Sequence, residues 1–226
     1  MSTPVLVAWS GGKDSALTLE RLRADPRYRI AGLLATLHAD GRVSAQGLRR
    51  SMIERQATAL GLPLHLAEAP HGAGNDAYAA AFARALDTAR RDEPALATIA
   101  FGDLFLADVR AWREALLARL GWNALFPLWG ENTPRLAREI IDRGWRAVLC
   151  CVDTTQLDAS FCGRDYDDAL LADLPSSCDP CGENGEFHTC VLAGPWAEPL
   201  ALVRGERMLR DGRFQCCDLF ETAYAG

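Results

Sequence analysis

The segment of this sequence best suited to chemistry is Ser10-Gly11-Gly12-Lys13-Asp14-Ser15. Two glycines permit a tight turn that brings backbone N–H groups close to an anion. Ser10 and Ser15 supply hydroxyl donors, and Lys13 an ammonium. Lys13 is the one lysine among 24 basic residues; the other 23 are arginine. A compact charge on a flexible stem suits a tight phosphate cradle better than a planar guanidinium does. Asp14 stands where a carboxylate could help hold Mg²⁺ carried by nucleotide phosphates. The spacing is neither Gly-x-x-x-x-Gly-Lys-Ser/Thr nor Gly-x-Gly-x-x-Gly. A serine-capped structural turn is the plain alternative.

A second group of reactive side chains lies near the other end of the chain. Glu183, Glu186, His188 and Thr189 fall within seven residues of glycine-containing sequence. On a strand, Glu186 and His188 share a face. Any of Glu183, Glu186 or His188 could be tuned to move a proton near neutral pH. Gly102-Asp103 follows an apolar run, and Asp108, Arg110 and Glu114 continue at helical spacing, with Arg110 and Glu114 on one face. Cys178-Asp179-Pro180-Cys181 is a Cys-x-x-Cys that could join Cys162 and Cys190 around Zn²⁺. Without a second such pair, buried thiols are the default. His38 ends an apolar run and could approach an adenosine, whereas His65 and His71 fit no pattern.

These groups need elements to position them. Pro4 to Trp9 is a continuous apolar run, as in a strand buried on both faces of a parallel sheet. Asp14 to Arg23 has helical periodicity. Further strands are expected at 30–37, 62–67, 95–101 and 145–152. Helices are expected at 48–60, closed by Gly61, at 75–91 with Asn75 as cap, at 107–120, and from Thr133 with Pro134 in its first turn. This alternation over residues 1–155 predicts an α/β fold, a parallel sheet with helices on both faces, whose ligands sit beyond the carboxyl ends of the strands. From residue 156 to 226 the pattern breaks into a short helix near 165–174, a turn-rich stretch, and short strands at 187–192, 200–203 and 207–213. This reads as a small C-terminal lobe.

Composition narrows the partners. The chain has 226 residues, 49% hydrophobic and 24% charged, with a net charge of −6. The acidic balance argues against an extended nucleic-acid footprint. No apolar run is long enough to span a bilayer and no signal-peptide pattern opens the sequence, so a cytoplasmic protein with free thiols is expected. A homo-oligomer is compatible with the sequence.

The loop at 10–15 resembles the PP-loop of the ATP pyrophosphatase superfamily. Four further stretches resemble the diphthine–ammonia ligase-like branch: Gln56-Ala57 with Gly61 to Leu64; Phe101 to Arg110 with Glu114; Pro127-Leu128-Trp129-Gly130; and Gly182 to Thr189. They run in order through nearly the whole chain. The resemblance implies a HUP-like (adenine nucleotide alpha hydrolase-like) domain over 1–155 with a substrate-binding lobe over 156–226. It implies ATP and Mg²⁺, cleavage to AMP and pyrophosphate, and amide formation between ammonia or an amine and an adenylated carboxylate acceptor. Lys13, Asp103, Glu183, Glu186 and His188 would be catalytic, Ser10 to Ser15 would hold phosphates, and Gly102, Asp108, Arg110, Glu114, Trp129 and Thr189 would meet substrate. The segment Glu183-Asn184-Gly185-Glu186 replaces the Glu-Gly-Gly-Glu common in the diphthamide-making branch. That bacterial-looking variant points away from elongation factor 2 and leaves the carboxylate acceptor open between a small molecule and a modified protein side chain. Two other readings remain: a PP-loop tRNA sulfur transferase using the cysteines, and an ATP-binding sensor without turnover.

Overall fold

A computed structural model describes residues 2–43, 46–70, 74–196 and 198–221; His71 lies outside them. Five strands, β1 (Thr3–Ala8), β2 (Tyr28–His38), β3 (Leu64–Ala69), β4 (Thr98–Ala100) and β5 (Asn123–Leu125), form one parallel sheet in the order β3-β2-β1-β4-β5. The chain winds one way from β1 to β3 and the other way from β4 to β5. The crevice therefore opens between the ends of β1 and β4, where a doubly wound sheet binds ligands.

Helices cover both faces, as expected. α1 (Lys13–Arg23), α2 (Arg50–Leu60) and α5 (Thr133–Asp142) bury Leu17, Ile53 and Ile140 in one core with Val5, Val7 and Leu33. α3 (Asn75–Asp92) and α4 (Ala107–Arg119) bury Phe82, Leu86 and Leu117 in the other with Leu6 and Ile99. Gly61 ends α2 in the left-handed region, the backbone that glycine adopts without a Cβ penalty. Gly74, not Asn75, precedes the first turn of α3. Asn132 caps α5 through Arg135 N at 3.0 Å, with Pro134 in the first turn.

The strand expected at 145–152 differs. It is β6 (Arg146–Asp153), and it leaves the parallel sheet for an antiparallel one of order β7-β6-β9-β8, with β7 (Phe187–Ala193), β8 (Leu202–Arg210) and β9 (Phe214–Glu221). Between β6 and β7 lies α6 (Asp168–Asp173). An unbroken apolar run marks a strand buried on both faces without fixing the direction of its neighbours. The expected strand 207–213 is the end of β8 plus the turn into β9. The antiparallel sheet packs on α1 through β7 and on α2 through β9. Among the described residues, no helix is long and apolar enough to cross a membrane.

Candidate active site

The phosphate-type turn lies at the C-terminal end of β1, with Gly11 at φ +80°. Its backbone is clamped from two sides. Gly11 O accepts from Val191 N of β7 at 2.9 Å and from Gln56 Nε2 of α2 at 3.0 Å. Gln56 also donates to Val191 O at 2.9 Å and accepts from Trp9 Nε1 at 2.9 Å. Gln56 is fully buried. The amides of Gly12 and Lys13 donate to Ser10 Oγ at 3.3 Å and Thr189 Oγ1 at 3.1 Å. A Cβ on Gly12 would stand 2.9 Å from Thr189 O, so the close approach of β7 requires glycine here. The positive end of α1 therefore faces a turn bordered by Ser10, Ser15 and Thr189 hydroxyls.

The Lys13 side chain is buried. Its Nζ lies 2.8 Å from both carboxylate oxygens of Asp14 and also donates to Cys181 O. Burial alone would lower its pKa, but Asp14, the Cys181 thiol and Glu183 outweigh that and raise it. Gly102, after β4, packs on the Asp14 backbone, where a Cβ would meet Asp14 C at 2.9 Å. This brings Asp103 beside the turn.

The loop between α6 and β7 closes the cleft. Asp179 organises it, accepting from Cys181 N at 2.7 Å and from Thr133 Oγ1 at 2.6 Å. Glu183 then faces the turn. Burial, with Asp14, Asp179 and Asp103 nearby, pushes its carboxyl up to about 8 against the pull of Lys13. His188 also lines the cleft; burial and Lys13 push its imidazole down to about 4, so it is neutral at neutral pH. Together the turn, Gly102-Asp103 and this loop enclose about 510 Å³, with Tyr78, Phe82, Phe101 and Leu106 forming an apolar wall. That size suits a nucleotide-sized ligand.

Of the residues expected in the site, Ser10, Gly12, Lys13, Asp14, Ser15, Gly102, Asp103, Glu183, His188 and Thr189 line the cleft. Gly11 is turned toward Gln56 and β7. Glu186 is not in the wall. It is buried and folds the loop, accepting from Asp179 N at 2.8 Å, Asn184 N at 2.9 Å and Asn184 Nδ2 at 3.0 Å. Its face is shared with His188 only in the strand periodicity, because β7 begins one residue after it. Asp108, Arg110, Glu114 and Trp129 also lie outside the cleft lining, as does His38. Arg110 sits 2.8 Å from Glu114 and stacks on Trp129 and Phe126, at 4.6 and 4.9 Å from the ring centroids.

Two residues with evident roles carry no assignment from sequence. Arg113 lines the cleft, 2.8 Å from Asp103 and 4.3 Å over the Phe101 ring. Gln56 holds the turn. Its signal was available: it falls among Met52, Ile53, Ala57 and Leu60 on the buried face of α2, where a polar residue must have internal partners.

Oxygen donors suit Mg²⁺, which proteins hold with one or two carboxylates plus phosphate oxygens. Asp14 and Asp103 border the phosphate-type turn and fit that role; among the described residues, no three His, Cys, Asp or Glu side chains converge as a metal group. All eight cysteines are buried and unbridged. Burial pushes Cys178 and Cys181 up to about 12, leaving protonated thiols that are poor nucleophiles.

Residues 132–211 match the family model described as diphthamide synthase C-terminal domain. A diphthine–ammonia ligase of Schizosaccharomyces pombe (strain 972 / ATCC 24843) is 24% identical over 234 residues, covering 95% of this chain and 38% of that protein. Both the C-terminal match and this similarity are to proteins of the kind that the sequence motifs resemble. A tRNA(Ile)-lysidine synthase of Xanthomonas axonopodis pv. citri (strain 306) is 39% identical over 97 residues, covering 37% of this chain and 21% of that protein. The chain thus spans well under half the length of these two relatives.

Proposed function

We propose that this protein is an ATP-dependent, amide-forming ligase that adenylates a carboxylate acceptor, releases pyrophosphate, and exchanges AMP for ammonia or an amine. The observation that carries this reading is the joining of two loops around one lysine. Lys13 N donates to Thr189 Oγ1, and Lys13 Nζ bridges Asp14 and Cys181 O, with Glu183 beside it. A phosphate-type turn is thereby placed against a titratable carboxyl. The similarity to a diphthine–ammonia ligase supports ammonia as co-substrate, and the sheet with its crevice supports ATP as the nucleotide.

On this reading residues 1–155, which hold the parallel sheet and also β6, bind ATP, and the lobe, 156–226, presents the acceptor. The α1 N-terminus, Ser10, Ser15 and Lys13 hold the phosphates and offset charge that builds as pyrophosphate departs. An acceptor carboxylate oxygen bonds to the α-phosphorus as the bond to the β-phosphate oxygen breaks. Ammonia then adds to the acyl carbon and AMP leaves. A carboxylate on Glu183 takes the proton from ammonium, a task that a group titrating near neutrality performs well. Neutral His188 accepts a hydrogen bond from the incoming amine. Mg²⁺, held by Asp14 or Asp103 with the phosphates, supplies further charge neutralisation when bound.

The test is ³¹P NMR of ATP, Mg²⁺ and ammonium incubated with the protein and a small-molecule cell extract. AMP and pyrophosphate are expected, with turnover down about a thousandfold in Lys13→Ala. ADP with phosphate, lost in the same variant, would overturn the ligase reading. Tight ATP binding without cleavage would favour the sensor.

A further inference from the structure

Away from the cleft, β6 and β9 place two cysteines directly opposite each other. Cys151 and Cys216 are register partners in the antiparallel ladder, and their Sγ atoms stand 3.2 Å apart. Cross-strand antiparallel partners have Cα separations of about 4.5–5.5 Å, inside the range that a disulfide spans. Forming the bond needs the sulfurs to move from 3.2 Å to roughly 2.05 Å, a side-chain adjustment. The two thiols are not equivalent. Arg210 and Arg42 face Cys216, and Arg210 reaches over Gly47, where a Cβ would lie 2.6 Å from its Nη1 and 3.7 Å from Cys216 Sγ. The hydrogen bond shared with Cys151, together with these guanidiniums, draws the Cys216 thiol below its usual range against burial, whereas Cys151 is pushed up.

We propose that Cys151 and Cys216 form a peroxide-oxidisable dithiol site, with Cys216 as the attacking thiolate and Cys151 as the resolving thiol. The Cys216 sulfur attacks one peroxide oxygen, the O–O bond breaks, and water is released, leaving a sulfenic acid. The Cys151 sulfur then attacks the Cys216 sulfur, its proton goes to the departing hydroxyl, and a second water leaves. Two thiols and one hydrogen peroxide give one disulfide and two waters; a dithiol reductant reverses it. The remaining thiols lack this arrangement: Cys150, Cys162, Cys178, Cys181, Cys190 and Cys217 are all shifted upward by burial. Cys151 also pairs on its other side with His188 of β7, which lines the cleft.

The experiment treats the reduced full chain with one equivalent of hydrogen peroxide, alkylates it, and maps peptides by mass spectrometry without reduction. The expected product links Cys151 to Cys216, has lost two hydrogens, reverts with dithiothreitol, and forms at least tenfold faster than any other thiol is consumed. Cys151→Ser is expected to stop at a Cys216 sulfenic acid that dimedone traps. Cys216→Ser, which removes the attacking sulfur and leaves Cys151 buried, is expected to leave Cys151 intact at the same dose. A different first pair, survival of all eight thiols, or equal loss of Cys151 in Cys216→Ser would overturn the proposal.

Discussion

The two loops that meet in the cleft are built on opposite principles. The phosphate-type turn is held by backbone and neutral partners: Gly11 O by Val191 N and Gln56, Lys13 N by Thr189. The loop at 178–186 is held by charge, with Asp179 and Glu186 spending their oxygens on backbone amides. A site that must fix phosphates gains from a rigid, uncharged scaffold whose electrostatics do not change with pH. A site that must move protons gains from a crowded group such as Glu183, which the same crowding brings near neutrality. If this division is correct, the two loops fail differently when altered.

The largest effect on folding is expected at the uncharged scaffold. Gln56→Leu would leave the Trp9 indole N–H and Val191 O buried without that partner. Stranding buried polar groups should lower stability by about 3 kcal/mol, or roughly 6–12 °C in Tm. Thermal unfolding measures it. A loss under about 1 kcal/mol would mean that the turn is held by its strand and helix alone.

Next comes the titrating loop, where the effect should be on rate. Glu183→Gln is expected to lower amide formation about a hundredfold with little change in ATP binding. In the wild type the rate should climb as pH rises through about 8, and this limb should vanish in the variant. Deprotonation of ammonium is common to both proteins and cancels in their ratio. Stability should move the opposite way. The folded pKa of Glu183 is raised above its usual value, so its contribution is complete below about pH 4.5 and is lost as pH passes 8. The glutamine variant should therefore outlast the wild type above pH 8. A parallel fall of both proteins in alkali would remove Glu183 as the proton carrier.

The same contrast explains what could be read from sequence. Gly11, Gly12 and Lys13 were legible because a tight turn and a close strand allow few residue types, and those types are local in the chain. The parallel core was legible from alternating periodicities. β6 was not, since the run at 145–152 says nothing about the partners that arrive forty and sixty residues later as β7 and β9. Glu186 and Glu183 look alike in sequence, and only the fold separates a carboxylate spent on loop amides from one left facing the cleft. Arg113 was hidden by Arg110, whose spacing to Glu114 makes the more visible pair.

That pair gives the smallest effect expected. Arg110 and Glu114 are an exposed i,i+4 ion pair on α4, with side chains 35% and 47% exposed, and the Arg110 stack on Phe126 and Trp129 lies outside the cleft wall. Exposed helical pairs contribute a few tenths of a kcal/mol and an exposed cation–π contact about 0.5–1. Arg110→Ala should therefore cost about 1 kcal/mol at most in denaturant unfolding and leave kcat/KM within about twofold. Arg113→Ala, which removes the guanidinium beside Asp103, should by contrast raise the KM for the acceptor. If Arg110→Ala instead cut kcat/KM tenfold with the melting point unchanged, the acceptor would have to reach past the cleft to the outer face of α4. The two-loop division would then describe only the nucleotide half of the site.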